Sequence, residues 1–221
     1  GKVEKLKIGE FIRPQCHACF IAGPEDNLES LAEHYITEMQ IFARGSGIGQ
    51  NTSNIRSKGE PLSAGGEASG PICFEIGYDT QAGAIKSAGK TRRAARWWGM
   101  NVDHPDIEEF AGLKVKEDYK GVTMLRAGLD GGKADMDGDV YTTIKMQNTN
   151  ITVRVPNRFI EAVKSDGNWD LKFVKNGKVA KTIKALELMK KISFGAWRCG
   201  DPGMQYINAI DEHNTCPNSG V

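Results

Sequence analysis

An α/β architecture, with a largely parallel sheet and flanking helices, is the fold class this sequence predicts. Three observations predict it. Short apolar, strand-prone runs recur along the chain ("CHACFIA", "WWGMNV", "ITVRV"), bounded by Gly, Pro and Asn. Between them lie longer stretches with apolar residues at three- and four-residue steps, the period of a helix that buries one face. The two kinds alternate, and strand–helix–strand order lays helices over a parallel sheet.

Taken in order, residues 15–22, "QCHACFIA", run into Gly23-Pro24 and predict a buried strand ended by a turn. In "EDNLESLAEHYITEMQIFARG", Leu28, Leu31, Tyr35, Met39 and Phe42 mark an amphipathic helix, acidic in its first turn and closed by Arg44-Gly45. The glycine-rich stretch at 45–71 reads as a connection far longer than an ordinary loop, and such loops are usually functional or disordered. A second helix is expected from about Ile72 to Lys86. It delivers the chain into a cationic segment carrying Lys86, Lys90, Arg92 and Arg93.

"WWGMNV" predicts a further buried strand, and "HPDIEEFAGLK" a helix with Pro105 in its first turn. Residues 128–139 form a turn or an excursion. "ITVRV" is a strand, and "PNRFIEAVKSDG" a helix opened by Pro156 and closed near Gly167. Asn176-Gly177 lies between two strand-like runs, a hairpin signal. A last helix, "KALELMKKISFGAWR", leads into "CGDPGMQYINAIDEHNTCPNSGV", and no internal repeat is evident.

At 221 residues the chain is long enough to bury a sizeable core. Lys+Arg number 29 against 28 Asp+Glu, so no global field draws it to nucleic acid or membrane, and any anion site must be local. No run reaches the length of a membrane span, and no signal peptide is evident. Five scattered cysteines suggest no disulfide framework, which points to a reducing, cytoplasmic compartment. Gly stands first instead of Met, so a processed chain or a piece of something longer is expected.

Four motifs come close to known sites and fail on spacing. "GAIKSAGKT" lacks the Walker glycine, because position 84 is Ala and Gly83 comes one residue early. Gly45, Gly47 and Gly49 follow a helix instead of a strand, and their third glycine falls one place short of the dinucleotide fingerprint. Cys16-x-x-Cys19 has no second pair or spaced histidines to complete a zinc site. Asp135, Asp137 and Asp139 have calcium-loop spacing, but Val140 replaces the turn glycine and Met146 the bidentate glutamate. No metal site is expected.

Five blocks, in order, carry a family resemblance: "PQCHACFI", "GSGIGQNTSNIRSKGEPLSAGGEASGP", "AGAIKSAGKTRRAA", "NVDHPDIEEF" and "GDPGMQYINAIDEHNTCPNSG". Together the sequence resembles the large, catalytic subunit of ribonucleotide reductase, most closely the class II, adenosylcobalamin-dependent type. The resemblance implies a ten-stranded α/β barrel of two half-barrels, with residues 1–221 as a single partial domain, the first half including the allosteric specificity region.

Cys19 then matches the redox-active cysteine beside the substrate ribose. Ala18, Cys19, Ser46 and Gly47 match the substrate-contacting backbone and side chains. Asp26 matches the residue on the ribose of a deoxynucleotide effector, and Arg56 the arginine on its phosphates. The segment holding Lys90, Thr91, Arg92 and Arg93 resembles the specificity loop between effector base and substrate base.

The partners so implied are a ribonucleotide substrate and a dNTP effector with Mg. A thioredoxin-type reductant serves the complete enzyme, and a second copy pairs through helices 27–43 and 72–86. The family's radical-cysteine loop and second redox cysteine follow beyond "TCPNSG". The fragment alone is therefore expected to be inactive. The alternative is a stand-alone nucleotide-binding regulatory module without catalysis. An unrelated phosphate-loop NTPase is a third reading, disfavoured by the same spacing failure.

Overall fold

The computed structural model describes residues 17–85, 94–135 and 137–219. Cys16 and the cationic residues Lys86, Lys90, Thr91, Arg92 and Arg93 lie outside the described residues. In chain order the elements are β1 (Cys19–Ile21), α1 (Leu28–Ala43), β2 (Gly47–Asn51), α2 (Pro71–Ala84), β3 (Arg96–Asn101), α3 (Ile107–Arg126) and α4 (Asp139–Thr143). There follow β4 (Thr149–Val155), α5 (Asn157–Lys164), β5 (Asn168–Lys172), β6 (Val179–Lys184), α6 (Ala185–Cys199), β7 (Gly203–Tyr206) and α7 (Ile207–Glu212).

Five strands form one sheet in the order β1-β2-β3-β4-β7, and every pair is parallel. The architecture is the expected α/β one, a largely parallel sheet with flanking helices. β5 and β6 form a separate antiparallel hairpin. Its Asn176-Gly177 turn has Gly177 at φ 66, the left-handed backbone that glycine adopts without steric cost.

Because side chains alternate along a strand, one sheet face receives the helices and the other does not share those contacts. Trp98, Met100, Ile151, Val153 and Val155 point to the helical side and pack with Phe110 and Leu113 of α3, Phe159 of α5, and Leu188 and Ile192 of α6. Each such side chain, taken from water, contributes roughly 1.5–3 kcal/mol. Trp98 meets Phe110 edge to face at 4.6 Å. A smaller cluster of Phe42, Ile48, Ala82 and Ala94 seats α1 and α2 against β2.

Cys19, Ile21, Gly47, Gly49, Trp97 and Gly99 occupy the opposite face. The place where a Gly49 Cβ would sit is 3.3 Å from both Ile21 Cδ1 and Trp97 Cε3, so these residues line one surface. Ile21 is 85% exposed on it.

The structure corrects several expectations. The strand at 15–22, expected to be buried, is a three-residue edge strand with all residues exposed, because it has a neighbour on one side only among the described residues. Helix α1 buries Leu31, His34, Glu38 and Phe42, while Leu28 and Met39 face outward. The apolar count missed this because two polar side chains hold the inward positions. The stretch at 45–71, expected to be one long connection, contains the central strand β2. Glycine-rich "GIGQN" has low strand propensity, and pairing on both sides overrides it.

Helix α3 begins at Ile107 after an Asp106 N-cap, which places Pro105 before the helix, and it continues to Arg126. Pro156 is the N-cap residue of α5. In the 128–139 excursion, the Asp130 carboxylate accepts from the Asp139 and Val140 amides and so starts α4. Strand β7 and helix α7 lie in the C-terminal stretch where no element was expected.

Candidate functional site

At the amino ends of β1 and β2, parallel register sets Cys19 opposite Gly47. The Gly47 amide donates to the Ala18 carbonyl at 2.9 Å. A Cβ on Gly47 would lie 3.6 Å from the Cys19 sulfur and 3.1 Å from the Ala95 carbonyl oxygen. Glycine therefore keeps the floor beside the thiol bare. Ser46 is buried, and its hydroxyl donates to the His17 carbonyl at 3.3 Å. Thus Ala18, Cys19, Ser46 and Gly47 come together through a single strand pairing. Cys19 and Cys73 are exposed and Cys199 is half-buried; partial desolvation pushes the thiols of Cys73 and Cys199 upward. A raised thiol pKa lowers the thiolate fraction of those two.

A second cluster forms at the carboxyl ends of the same strands. The Arg56 Nε donates to Asp26 Oδ2 at 2.5 Å, and its backbone amide to Asp26 Oδ1 at 3.3 Å. Its Nη2 reaches the Asp26 carbonyl at 3.4 Å, and its Nη1 makes no hydrogen bond to another described residue. The segment that carries Arg56 is held from β3 and the turn after it. The Trp98 indole N–H donates to Thr52 Oγ1 at 2.6 Å, and the Asn101 amide to Ser53 Oγ at 2.7 Å. His104 is buried, and its Nδ1 accepts the Asp106 amide at 3.1 Å. Its Nε2 must then carry the proton and donate to the Ile55 carbonyl at 3.0 Å. Asp26 precedes α1, whose N-cap is Asn27, accepting from the Ser30 amide at 2.8 Å.

Sequence reasoning missed a third cluster, a buried ionic network between α1, α2 and the sheet. Arg96, the first residue of β3, is 1% exposed. Its guanidinium donates to Glu38 at 2.9–3.1 Å, to Glu75 at 2.9 Å and to Thr149 at 2.8 Å. Thr149 in turn donates to Asp79 at 2.8 Å, and the same carboxylate accepts the Gln147 and Asn148 amides. The Gln50 side-chain amide donates to Glu75. His34 Nε2 lies 3.2 Å from Glu38, close enough for an ion pair but not aligned as a hydrogen bond.

Burial pushes Glu75 up to about 7, against the pull of Arg96 beside it, and the Glu38 charge adds to the rise. Burial also raises Tyr35 and Tyr78, helped by the same carboxylates. The only signal in the sequence was the pair of acidic residues interrupting otherwise apolar helix faces.

Among the described residues no group of three His, Cys, Asp or Glu side chains is placed to hold a metal ion. No described helix is long and apolar enough to cross a membrane. A family model described as ribonucleotide reductase, barrel domain, matches residues 17–221. The chain belongs to the ribonucleotide reductase family. It is 46% identical over 206 residues to a vitamin B12-dependent ribonucleotide reductase of Streptomyces avermitilis, an alignment covering 93% of this chain and 21% of that protein.

A protein of the same name from Rhodopirellula baltica is 41% identical, covering 94% of this chain and 20% of the relative. A vitamin B12-dependent ribonucleoside-diphosphate reductase of Thermoplasma acidophilum is 31% identical over 93% of this chain and 24% of its own length. The chain thus spans about a fifth of the length of the first two relatives. The relatives are named as ribonucleotide reductases, which are oxidoreductases, and as dependent on vitamin B12.

Proposed function

We propose that this chain is the part of a ribonucleotide reductase that carries one redox cysteine and the allosteric nucleotide site. One observation carries the reading: a single strand pairing, β1 with β2, assembles two separate clusters of the residues the family resemblance singles out. Cys19, Ala18, Ser46 and Gly47 meet at its amino end, and Asp26 and Arg56 at its carboxyl end.

In the complete protein, Cys19 supplies one of two thiols. Their oxidation to a disulfide releases two electrons and two protons. These replace a ribose C–OH by C–H and release water, so atoms and electrons balance. The bare glycine floor lets the sugar approach the sulfur, and the Ala18 and Ser46 backbone borders it. The second thiol comes from the rest of the protein, and a thioredoxin-type dithiol resets the pair.

Adenosylcobalamin, the cofactor assigned to the complete protein, supplies the radical chemistry that side chains cannot start alone. Among the described residues no group of three His, Cys, Asp or Glu side chains stands ready for its cobalt. The chain by itself, with one of the two thiols, does not turn over. At the other cluster, Asp26 takes the ribose hydroxyl of a dNTP effector, and Arg56 meets its Mg-bound phosphates. The specificity segment with Lys90, Thr91, Arg92 and Arg93 serves to read the effector base. Pairing of α1 and α2 with a second copy forms a homodimer. The protein is cytoplasmic.

The test is calorimetric titration of the chain with dTTP and magnesium. Binding is expected, weakened at least about tenfold in Arg56→Ala, as loss of a charge-assisted bond implies. Binding that is unchanged in both Arg56→Ala and Asp26→Asn would remove the effector reading. In the complete protein, Cys19→Ser abolishes turnover while leaving dTTP affinity unchanged; retained turnover would remove Cys19 from the chemistry.

A further inference from the structure

We infer that the carboxyl ends of β3 and β4 form a second anion site, one that takes a phosphoryl oxyanion and is lined by none of the residues of the two clusters above. A cavity of about 380 Å³ opens there, bordered by the end of β3, the end of β4, and the first residues of α5 and α7. That volume suits a small ligand. In parallel α/β sheets the crevice outside the carboxyl ends of the strands is where ligands bind.

Two guanidinium groups line the cavity. Arg154 is half-buried, on the same sheet face as Cys19, and its hydrogen bond runs from Nη1 to the neutral Asn101 Oδ1 at a long 3.5 Å. No carboxylate pairs with it among the described residues, although half-buried cations ordinarily find one. Arg158, in the first turn of α5, lies 3.4 Å from Asp103 Oδ2 and stacks over the Trp169 ring at 5.3 Å. Trp169 is itself fixed by its indole N–H on the Val102 carbonyl at 3.0 Å.

The cavity therefore holds two positive charges and one negative, an excess of one positive charge beside neutral amides of Asn101, Asn157 and Asn208. The start of α5 adds the positive end of a helix dipole. An oxyanion bridging Arg154 and Arg158 would complete the charge balance with fork-shaped donors suited to phosphoryl oxygens. Strand spacing puts Arg154 about 25 Å from Cys19, three strands across and six residues along the sheet. The two groups cannot hold the same small anion.

The site is tested on the 221-residue chain in the Arg56→Ala background, which silences the proposed effector site. Inorganic phosphate is titrated calorimetrically, alongside dTMP as the nucleotide-borne form of the same group. Phosphate is expected to bind, about tenfold more weakly in Arg154→Met and more tightly in Asp103→Asn, where Arg158 loses its carboxylate. The opposite signs of the two variants exclude misfolding as the cause.

Tighter binding of dTMP than of phosphate would identify a nucleotide source, and equal affinity a free anion; both support the site. No measurable binding of either, or equal affinity in the parent and Arg154→Met, would overturn it. Because Arg56 is absent throughout, failure here leaves the effector reading intact. Failure there leaves this site intact.

Discussion

Glu75 sits in the second turn of α2 with its carboxylate enclosed by Gln50 and Arg96. Burial raises its pKa to about 7, from an ordinary value of 4.5. Between those values the folded chain keeps a proton that the unfolded chain has released. Stability therefore falls as pH rises from about 4.5 to about 7, then levels off. A shift of that size corresponds to about 3 kcal/mol. Glu60 and Glu117 have the opposite sign. Burial would raise them, but hydrogen bonds from the Lys175 amide and Ser57 to Glu60, and from Lys120 and the Lys145 amide to Glu117, outweigh it. Their contribution is present above the ordinary carboxylate range and is lost below it, so they leave the window from 5 to 7 nearly flat. In urea denaturation at pH 5 and pH 7, the chain is expected to be more stable at pH 5, and Glu75→Gln to remove most of the difference. An undiminished difference in the variant would assign the effect to another group.

At the scale of elements, the open sheet face is shaped by glycines: Gly47 and Gly49, from the stretch read as a long connection, and Gly99, from a predicted strand. Trp97 lies along β3 over Gly99, with its indole N–H donating to Thr152 on β4 at 2.8 Å. A Cβ on Gly99 would stand 2.4 Å from Trp97 Cη2, a clash with a ring pinned at its far end. Gly99→Ala is expected to cost about 1–3 kcal/mol. In a Trp97→Leu background that cost should fall by about half or more, a coupling read from a double-mutant cycle in denaturant. Strict additivity would mean that the ring and the glycine do not constrain each other. The same packing makes β2 a strand despite its composition, because it pairs with β1 and β3 on either side. The β5–β6 hairpin is the contrasting case. Its Asn-Gly turn and alternating residues specify it locally, and it forms as read.

Across the whole molecule, Arg96 is the point where five elements meet: α1 through Glu38, α2 and β2 through Glu75 and Gln50, β4 through Thr149, and β3 itself. A buried charge stripped of its partner is far costlier than an apolar replacement of the whole group. Arg96→Met alone leaves two enclosed carboxylates and is expected to destabilise the chain by about 3–5 kcal/mol. Combined with Glu38→Met and Glu75→Leu, most of that loss should return. Denaturant unfolding of the single and triple variants decides it. Equal instability would locate the cost in packing instead of charge.

Alternation of strands and helices, the hairpin, and the ordered blocks around Cys19, Asp26 and Arg56 were all determined by the sequence itself. They rest on local periodicity, on turn chemistry and on the residues that carry the family resemblance. The placement of those blocks was decided only by the tertiary structure. Parallel pairing joins Cys19 to Gly47 and Asp26 to Arg56 across 28 and 30 residues of chain, and local pattern holds no record of such distant partners. The same is true of Glu38, Glu75 and Arg96. Each reads as a surface residue in its own segment, and each is buried because a complementary charge arrives from another element to offset the loss of water.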